Sequence, residues 1–288
     1  MDASIQYLIG VDGGGSGTRV RVVAADGRPL AAAEGPGSAL SLGIAHAWRV
    51  VLATVAQAFD AAGLAQPEPR ACALGLGLSG VHNRQWAAQF EAQAPGFAML
   101  RLATDGYATL LGAHGGRPGV IVALGTGSIG EALYPDGGRR EVGGWGYPSG
   151  DEASGAWLGQ RAAQLAQMAL DGRGPHGPLT RAVLEFVGGG WQAMMHWNGN
   201  ADPAGFARLA PLVIAAARTD PEADALLRRA GDDAWAIARA LDPHGDLPVA
   251  LCGGLGRALN DWLPPGFRRC LTPPQGDAAA GALLLLQR

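Results

Sequence analysis

A glycine-rich stretch near the start of the chain has the residue types of an anion-binding loop. Residues 8–19 read LIGVDGGGSGTR, so an apolar run ends in Asp12 and three glycines follow directly. Backbone this free of side chains lets N–H groups approach a phosphate closely. A carboxylate beside a phosphate indicates a divalent cation between the two. Asp-Gly is also a strong hairpin signal, and the stretch by itself leaves both alternatives open.

The order of strand, glycine loop and strand occurs again in the middle of the chain. An apolar segment at 120–124 is followed by the loop sequence GTGS at 125–128 and then by further strand-like residues. Each half continues through an Asp-Gly turn into a third strand. Two such halves could hold one ligand from opposite sides. Two unrelated glycine-rich hairpins would give the same pattern, so that alternative stays open as well.

Apolar periodicity predicts an α/β chain with two domains. Short apolar or alternating runs predict strands, and apolar residues spaced three and four apart predict amphipathic helices. We expect an N-terminal domain at 1–115 and a C-terminal domain at 116–288, whose last helix packs back on the N-terminal domain. The predicted strands are 5–11, 19–25, 29–34, 71–78, 97–103, 120–124, 131–134, 139–142, 249–252 and 267–271, and the predicted helices are 43–62, 84–93, 106–114, 151–170, 178–187, 203–217, 221–241, 255–262 and 276–286.

The composition excludes several classes of partner. The 288 residues are 48% apolar and 16% charged, as in ordinary globular proteins, and the net charge of −3 offers no electrostatic surface for nucleic acid or an anionic membrane. The sequence has no apolar run of membrane-spanning length and does not begin like a signal peptide, so we expect a cytoplasmic protein. Cys72, Cys252 and Cys270 are odd in number and lack metal-ligand spacing, which predicts buried, reduced thiols.

The absence of lysine excludes three kinds of active site. All 22 basic residues are arginine. A Walker A loop, a protein kinase and a Schiff-base enzyme each require a lysine at a defined position. Phosphate chemistry in this chain must therefore rest on backbone amides, arginine, hydroxyl groups and metal ions.

Asp105 and Asp151 each stand where a helix is predicted to begin. Their ordinary role there would be to cap the helix or to interact with its dipole. Asp105 also ends a strand, and ligand sites of α/β proteins form at the carboxyl edge of the sheet, where it could accept a proton from an attacking hydroxyl. Trp145, in the glycine-rich segment before Asp151, could stack on a ligand or fill a gap between the domains.

A dinucleotide-binding fingerprint occurs in the sequence but is not specific. The spacing GxGxxG appears at 75–80 between a predicted strand and helix, as in NAD-binding proteins. The same spacing at 125–130 leads into a strand instead, and a chain with 46 glycines produces such matches by chance. We therefore do not predict an NAD enzyme.

Five motifs occur in order along the chain and together carry a resemblance. They are the glycine loop at 12–18, the segment ATDGYATLLGAH around Asp105, the loop LGTGS at 124–128, GGWGYPSGDEASG at 143–155 and CGG at 252–254. In this combination the chain resembles the N-acetylglucosamine/glucosamine kinase branch of the BadF/BadG/BcrA/BcrD ATPase family, within the actin, hexokinase and Hsp70 superfamily. The similarity spans nearly the whole chain, including the tail at 261–285.

The resemblance implies a fold, a reaction and a set of site residues. The fold would be two actin-like ATPase (ribonuclease H-like) α/β domains with a cleft between them, and the reaction would be transfer of phosphate from ATP, with Mg²⁺, to the 6-hydroxyl of N-acetylglucosamine or glucosamine. We also expect a homodimer. By motif, the metal would lie near Asp12 and the catalytic base would be Asp105. The first phosphate loop would consist of Gly13, Gly14, Gly15, Ser16, Gly17 and Thr18, and the second of Gly125, Thr126 and Gly127. The adenosine would lie by Gly253 and Gly254, and the sugar pocket would be lined by Ser128, Gly144, Trp145, Gly146 and Asp151.

Two departures from the family pattern bear on the substrate. Relatives often carry an asparagine that contacts the sugar near residues 35–41, where this chain has Ala39, Leu40 and Ser41. Residue 129 is isoleucine where animal-type N-acetylglucosamine kinases have asparagine. Hydrogen-bonding groups discriminate strongly between polar substrates, so the hexosamine is left open.

Two other functions are compatible with the same fold. Some members of this family activate a partner enzyme through an iron–sulfur cluster shared between subunits, but three dispersed cysteines do not favour that. A sugar sensor is the other alternative. The chain begins at its first predicted strand, with no helix-turn-helix segment that would bind DNA.

Overall fold

The chain folds into two compact units, each built around its own sheet. The structure is a computed structural model and describes residues 5–288. Unit 1 runs up to Gly119 and is completed by Pro273–Arg288, and unit 2 is Val120–Thr272. The strands are β1 (Tyr7–Gly13), β2 (Thr18–Ala24), β3 (Pro29–Gly35), β4 (Cys72–Leu78), β5 (Met99–Thr104), β6 (Gly119–Leu124), β7 (Ser128–Leu133), β8 (Arg139–Gly143) and β9 (Val249–Cys252).

Twelve α-helices connect and cover the two sheets of the described chain. They are α1 (Ile44–Ala61), α2 (Arg84–Ala92), α3 (Asp105–His114), α4 (Gly155–Leu170), α5 (Pro178–Val187), α6 (Gly190–Asn200), α7 (Pro203–Ala207), α8 (Ala210–Ala216), α9 (Pro221–Leu241), α10 (Gly254–Ala258), α11 (Pro265–Cys270) and α12 (Ala278–Leu284). The α/β class predicted from the sequence is confirmed.

The sheet of unit 1 has the strand order β3-β2-β1-β4-β5. β1 pairs antiparallel with β2 and parallel with β4, and β4 pairs parallel with β5. β4 is buried along its whole length because helices cover both faces of the central strands, which explains its uninterrupted apolar sequence. β2 alternates buried and exposed residues, since α1 packs on it from one side.

The C-terminal helix α12 packs on unit 1 through glycines. A Cβ atom on Gly281 would lie 1.8 Å from the carbonyl oxygen of Ala108 in α3, and one on Gly75 of β4 would lie 2.0 Å from the oxygen of Ala282. On the same face of β4, a Cβ on Gly77 would lie 2.3 Å from that of Ala108. Gly75 and Gly77 of the 75–80 fingerprint therefore allow α12 and α3 to pack closely on β4.

Unit 2 has a four-stranded sheet with the order β8-β7-β6-β9. β7 and β8 form a hairpin, and β6 and β9 are parallel. Apolar faces of α4 and α9 pack in one core with β6 and β7. Gly130 permits the close contact of β7 with α9, because a Cβ there would lie 2.3 Å from Cγ2 of Ile237.

Several predicted elements are wrong. Residues 265–270 form helix α11, and Leu271 makes an isolated bridge to Val249, so the strand predicted at 267–271 is absent. Pro265 at the first helical position favours helix here over the short apolar pattern. The helix predicted at 203–217 is divided into α7 and α8, and α6 was not predicted.

Two of the three thiols are buried, as predicted. Burial raises the pKa of Cys72 to about 11 and that of Cys252 to about 12. Cys270 is exposed at the end of α11, so the prediction of a buried thiol is wrong there. Among residues 5–288, no helix is both long and apolar enough for a membrane span.

The close packing of α12 leads to a prediction about stability. Gly281→Ala should lower the free energy of unfolding by about 1–3 kcal/mol, because the added methyl group must displace the Ala108 carbonyl. This loss should exceed the gain of about 1 kcal/mol that alanine gives over glycine inside a helix. Gly199→Ala in α6 is the matched control, since no atom lies within 4 Å of its Cβ position. Urea unfolding should show a lower midpoint for Gly281→Ala than for the parent and no lower midpoint for Gly199→Ala. Equal midpoints for the two variants would contradict the packing argument.

Candidate active site

The first glycine loop is the turn of a β-hairpin. β1 and β2 pair up to Gly13 and Thr18, and the N–H of Gly14 donates to the carbonyl of Gly17 at 2.9 Å. The hairpin alternative is thus confirmed. It does not compete with anion binding, because Gly15 and Ser16 at the tip of the turn are exposed and nothing lies within 4 Å of a Cβ on Gly15.

The segment 36–39 holds this loop in place. The N–H groups of Ser38 and Ala39 both donate to the carbonyl of Gly14, at 3.0 and 3.1 Å. The hydroxyl of Thr18 donates to the carbonyl of Pro36 at 2.6 Å and lies 2.7 Å from the hydroxyl of Ser38. A Cβ on Gly37 would lie 2.2 Å from the Gly15 carbonyl oxygen. The Thr18 side chain therefore supports the loop from behind, leaving its backbone as the part that could face an anion.

Asp12 is a carboxylate that burial makes unusually basic. It is the next-to-last residue of β1, and its side chain is only 18% exposed. Burial raises the pKa of Asp12 to about 6, against the opposing charge of Arg19, and the nearby charges of Asp105 and Asp277 raise it further. Arg19 lies directly across the hairpin, with Nη1 3.4 Å from Oδ2 of Asp12.

Asp105 is the first residue of α3 and does not cap it. The cap is Thr104, whose hydroxyl oxygen accepts a hydrogen bond from the N–H of Tyr107 at 3.1 Å. The interpretation of Asp105 as an N-cap is therefore wrong, and its carboxylate is available for another role. Oδ1 accepts from the N–H of Gly106 at 3.0 Å, and the Ser79 side chain also hydrogen-bonds to the carboxylate.

The environment of Asp105 makes it a stronger base than an ordinary aspartate. Burial raises the pKa of Asp105 above its usual range, and the N–H of Gly106, the charge of His82 and the hydrogen bond from Ser79 oppose that increase only in part. A carboxylate with a raised pKa at the carboxyl edge of a sheet is suited to accept a proton from a hydroxyl group.

Strand register brings these side chains to one edge of the sheet in unit 1. Gly13 of β1 lies opposite Leu78 of β4, and Leu78 lies opposite Thr104 of β5. The glycine loop, Ser79 and Asp105 therefore follow one another across the carboxyl ends of three adjacent parallel strands. The charge of Asp105 raises the pKa of Asp12, as expected for two carboxylates at one edge of the sheet.

The second glycine loop, in unit 2, is fixed by the start of α4. The N–H of Gly125 donates to the carbonyl of Gly127 at 2.9 Å. The N–H groups of Gly155 and Ala156 donate to the carbonyls of Gly125 and Thr126, at 2.8 and 3.0 Å. Gly125 and Thr126 are exposed, so the loop presents an accessible backbone on a rigid support.

Asp151 lies beside this second loop and outside the helix. It has a left-handed φ of 62°, and α4 begins at Gly155 with Ser154 as its cap, so the predicted helix start at Asp151 is wrong. Its Oδ1 accepts from the N–H of Ser128 at 3.2 Å, and N–H groups of Gly146 and Tyr147 also donate to the carboxylate. Burial raises the pKa of Asp151 nonetheless. This carboxylate fastens the segment 144–151 to the start of β7.

The predicted sugar residues of unit 2 surround Asp151. The N–H of Gly144 donates to the carbonyl of Ser128 at 3.1 Å, and Gly144 and Gly146 have φ values of 69° and 80°. The Ser128 hydroxyl is buried and has no hydrogen-bond partner among the described residues. The indole of Trp145 is 86% exposed, unlike the packed ring of Trp157 at 9%. An unpaired buried hydroxyl and an exposed ring are suited to a ligand with polar edges and apolar faces.

Gly253 and Gly254 follow β9 at the entrance to α10. Gly253 has a φ of 84°, and a Cβ there would lie 2.2 Å from the carbonyl oxygen of Leu124 at the end of β6. No atom lies within 4 Å of a Cβ on Gly254, and both glycines are exposed. The second glycine therefore leaves open space beside the chain, as a nearby ligand would need.

Ser79, Ser38 and Arg19 were not predicted as site residues from the sequence. Ser79 follows β4 by one residue, so the signal that could have found it is its place beside Asp105 in a parallel pair of strands. Arg19 was visible as the first cation after the loop. Within residues 5–288, no group of three or more His, Cys, Asp or Glu side chains is arranged to hold a metal ion.

Two α/β units, each with a glycine hairpin at the end of its first strand, define the class of actin-like ATPases. The chain belongs to the BadF/BadG/BcrA/BcrD ATPase family, whose model matches residues 9–285. It is 33% identical over 281 residues to the glucosamine kinase GspK of Vibrio cholerae, covering 97% of this chain and 95% of that protein.

Solved structures show the same fold. A candidate N-acetylglucosamine kinase from Chromobacterium violaceum is 77% identical, with a TM-score of 0.98 over 99% of this chain and 100% of that one. A ROK family glucokinase from Streptomyces griseus, in complex with glucose and AMPPNP, has a TM-score of 0.57 at 18% identity over 98% of both chains. The second likeness concerns the fold alone.

The burial of Asp12 leads to a prediction about stability and pH. Its pKa is about 6 in the folded chain against 3.8 ordinarily, so the folded state binds the proton more tightly and loses stability as the pH rises between these values. Asp12→Asn should therefore stabilise the ligand-free protein by up to about 3 kcal/mol above pH 6. The difference should nearly vanish at pH 4.

Thermal unfolding of both proteins from pH 4 to 8, in EDTA, measures this difference. Asp26→Asn, in an exposed turn, is the control for an aspartate-to-asparagine change outside the site. A stability difference that did not grow with pH would contradict the burial of a charged Asp12.

Proposed function

We propose that this protein is an ATP-dependent kinase that phosphorylates the 6-hydroxyl of an amino sugar, glucosamine or N-acetylglucosamine. The observation that carries the proposal is the position of Asp105 beside a phosphate-type glycine loop. Its carboxylate does not cap α3 and has a raised pKa. Family membership and a full-length relative that is a glucosamine kinase support it.

In the proposed reaction Asp105 acts as the general base. It accepts the proton of the sugar 6-hydroxyl while the 6-oxygen bonds to the γ-phosphorus of ATP, and the bond to the β,γ-bridging oxygen breaks to release ADP. The transferred group carries its charge on oxygen, so positioning and electrostatic stabilisation supply most of the catalysis. In this lysine-free chain, backbone N–H groups of the two loops and the guanidinium of Arg19 are the protein groups available for that purpose.

Asp12 is suited to hold Mg²⁺. The ion commonly binds to one or two carboxylates together with substrate phosphates. Because loss of solvation raises the pKa of Asp12 to about 6, a bound cation would stabilise its ionised form. Bound Mg²⁺ would neutralise phosphate charge. The residues of unit 1 in this proposal are Asp12 to Thr18 for phosphate and Asp105 for catalysis.

The residues of unit 2 are proposed to bind the remaining groups. Gly125 to Gly127 would donate N–H groups to phosphate, and Gly253-Gly254 would lie against the adenosine. The sugar would contact Ser128, Gly144, Trp145, Gly146 and Asp151. Support comes from the unpaired Ser128 hydroxyl and the exposed Trp145 ring, which match the polar edge and apolar face of a pyranose.

A substrate panel tests the reaction. We expect sugar-dependent ADP release with Mg²⁺-ATP and glucosamine or N-acetylglucosamine, and much weaker release with glucose or mannose. Coupled ADP detection measures the rate, and mass spectrometry or NMR of the product identifies the 6-phosphate. Absence of sugar-dependent ADP release with every hexosamine would refute the kinase assignment.

A substitution tests the base. Asp105→Asn should lower kcat by about 10²- to 10⁴-fold, because the amide cannot accept the proton, while the Kd values for ATP and sugar stay close to those of the parent. In the parent, kcat at saturating Mg²⁺-ATP should fall as the pH drops through the raised pKa of Asp105, above the ordinary range of an aspartate. Near-normal turnover of Asp105→Asn with both ligands bound would show that another group is the base.

A further inference from the structure

Ser79 lies between the first glycine loop and Asp105. It follows Leu78, the last residue of β4, which is paired with Gly13 on one side and Thr104 on the other. In parallel strands of matched register, the next residue of the middle strand comes between the residues that follow on either side. Ser79 thus stands at the carboxyl edge next to Asp105 and next to the turn of the hairpin.

The backbone of Ser79 is fixed in both directions. Its N–H donates to the carbonyl of Gly13 at 2.9 Å, and its carbonyl accepts from the N–H of Leu40 at 2.9 Å. The first bond joins it to the strand that carries Asp12, and the second joins it to the segment that supports the glycine loop from behind. The backbone contacts of the loop therefore determine where the Ser79 side chain lies.

Three hydrogen bonds favour the ionised Asp105 carboxylate. One comes from the N–H of Gly106, 3.0 Å from Oδ1, one from the N–H of Asp105 itself, and the third from the side chain of Ser79. The Gly106 bond is local to α3 and turns with the helix. Only the Ser79 bond ties the carboxylate to another part of the sheet.

We infer that Ser79 is a positioning residue for the proposed base, and that it sets the direction of the Asp105 carboxylate relative to the first glycine loop. The inference rests on the proposed function for its catalytic consequence. In an in-line transfer the base must face the attacking oxygen while the loop holds the phosphate, and an error of about 1 Å can cost a hundredfold in rate. A hydrogen bond from a residue anchored to the loop fixes these two parts relative to each other.

Two other charged groups act on this edge and must stay unchanged in any test. His82, on the turn after β4, lowers the pKa of Asp105 through its charge, and Asp12 carries a charge that interacts with Asp105 from β1. Neither is altered by a change at Ser79. A hydrogen bond to a charged carboxylate favours its ionised form, so loss of the Ser79 hydroxyl raises the pKa of Asp105.

The test replaces the hydroxyl and then restores it. Ser79→Ala should lower kcat about tenfold or more, leave the KM values for sugar and ATP within about twofold, and move the acid limb of the kcat profile to higher pH. Ser79→Thr keeps the hydroxyl and should recover most of kcat. Thr109→Ala is the matched control, because that hydroxyl bonds to the backbone carbonyl of Asp105 at 2.8 Å and not to the carboxylate. It should leave the acid limb in place.

A double substitution separates positioning from a general loss of structure. Once Asp105→Asn has removed the base, adding Ser79→Ala should lower kcat little further, because the two residues act together. If Ser79→Ala does not fold, Ser79→Cys keeps the size with a weaker donor and takes its place. A kcat within twofold of the parent, an unmoved acid limb, or no rescue by threonine would each overturn the inference.

The outcome is distinguishable from a failure of the proposed function. If the parent releases no ADP with any hexosamine, the pKa of Asp105 can be measured in the protein alone by carbon-13 NMR of labelled aspartate, assigned with Asp105→Asn. A higher pKa in Ser79→Ala than in the parent would support the contact between the two side chains. An unchanged pKa would overturn it whatever the reaction is.

Discussion

The matched register of β1, β4 and β5 is the constraint on which the candidate site of unit 1 depends. Three adjacent parallel strands end at the same edge, so the residues that follow them are neighbours although they are far apart in sequence. A slip of one residue in β4 would send Ser79 to the opposite face of the sheet. Burial of β4 on both faces sets the register through packing, and its glycines allow helices to approach closely enough to hold it.

The site accumulates negative charge at a cost in stability. Asp12 and Asp105 are both partly buried carboxylates with raised pKa values on one edge of the sheet, and the charge of Arg19 only partly offsets the increase at Asp12. A fold selected for stability alone would replace them with neutral residues. The arrangement is reasonable for a protein that binds a cation and accepts a proton at this edge, because bound ligands and a transferred proton supply the missing positive charge.

The sequence predicted the elements best where local signals and tertiary packing agree. Helices α5 and α9 lie at the predicted bounds because each starts with proline at its first position and keeps a long apolar face, and Asp220 caps α9. Residues 265–270 contain the same kind of helix start, but the apolar run was interpreted as a strand. Asp151 was predicted inside a helix, but its φ is left-handed and its carboxylate accepts from the distant N–H of Ser128, neither of which the local sequence signals.

The candidate site was accessible from the sequence only in part. Both glycine loops could be predicted because glycine content is a local property. The role of Asp105 could not be distinguished from that of a cap until Thr104 was seen to make the capping bond. Ser79 could not be found at all, because its significance lies in strand register and in one hydrogen bond across the sheet. The hydrogen bond from the Thr18 hydroxyl to the carbonyl of Pro36 was not predictable either, because it joins residues 18 positions apart.

The C-terminal helix completes unit 1 and extends the same constraint to the position of Asp105. α12 packs closely against α3, where backbone meets backbone at Gly281, and it also covers β1 and β4. Asp277 caps α12 and forms a two-point ion pair with Arg21 of β2, at 2.7 and 2.9 Å, so the start of the helix is tied to the hairpin strand that follows the first glycine loop. α3 consequently contacts both β4 and α12. Since Asp105 is the first residue of α3, the last sixteen residues of the chain help to fix a carboxylate that lies some 170 positions earlier. The Ser79 hydroxyl then only has to set the rotation of that side chain, because its helix is already in place.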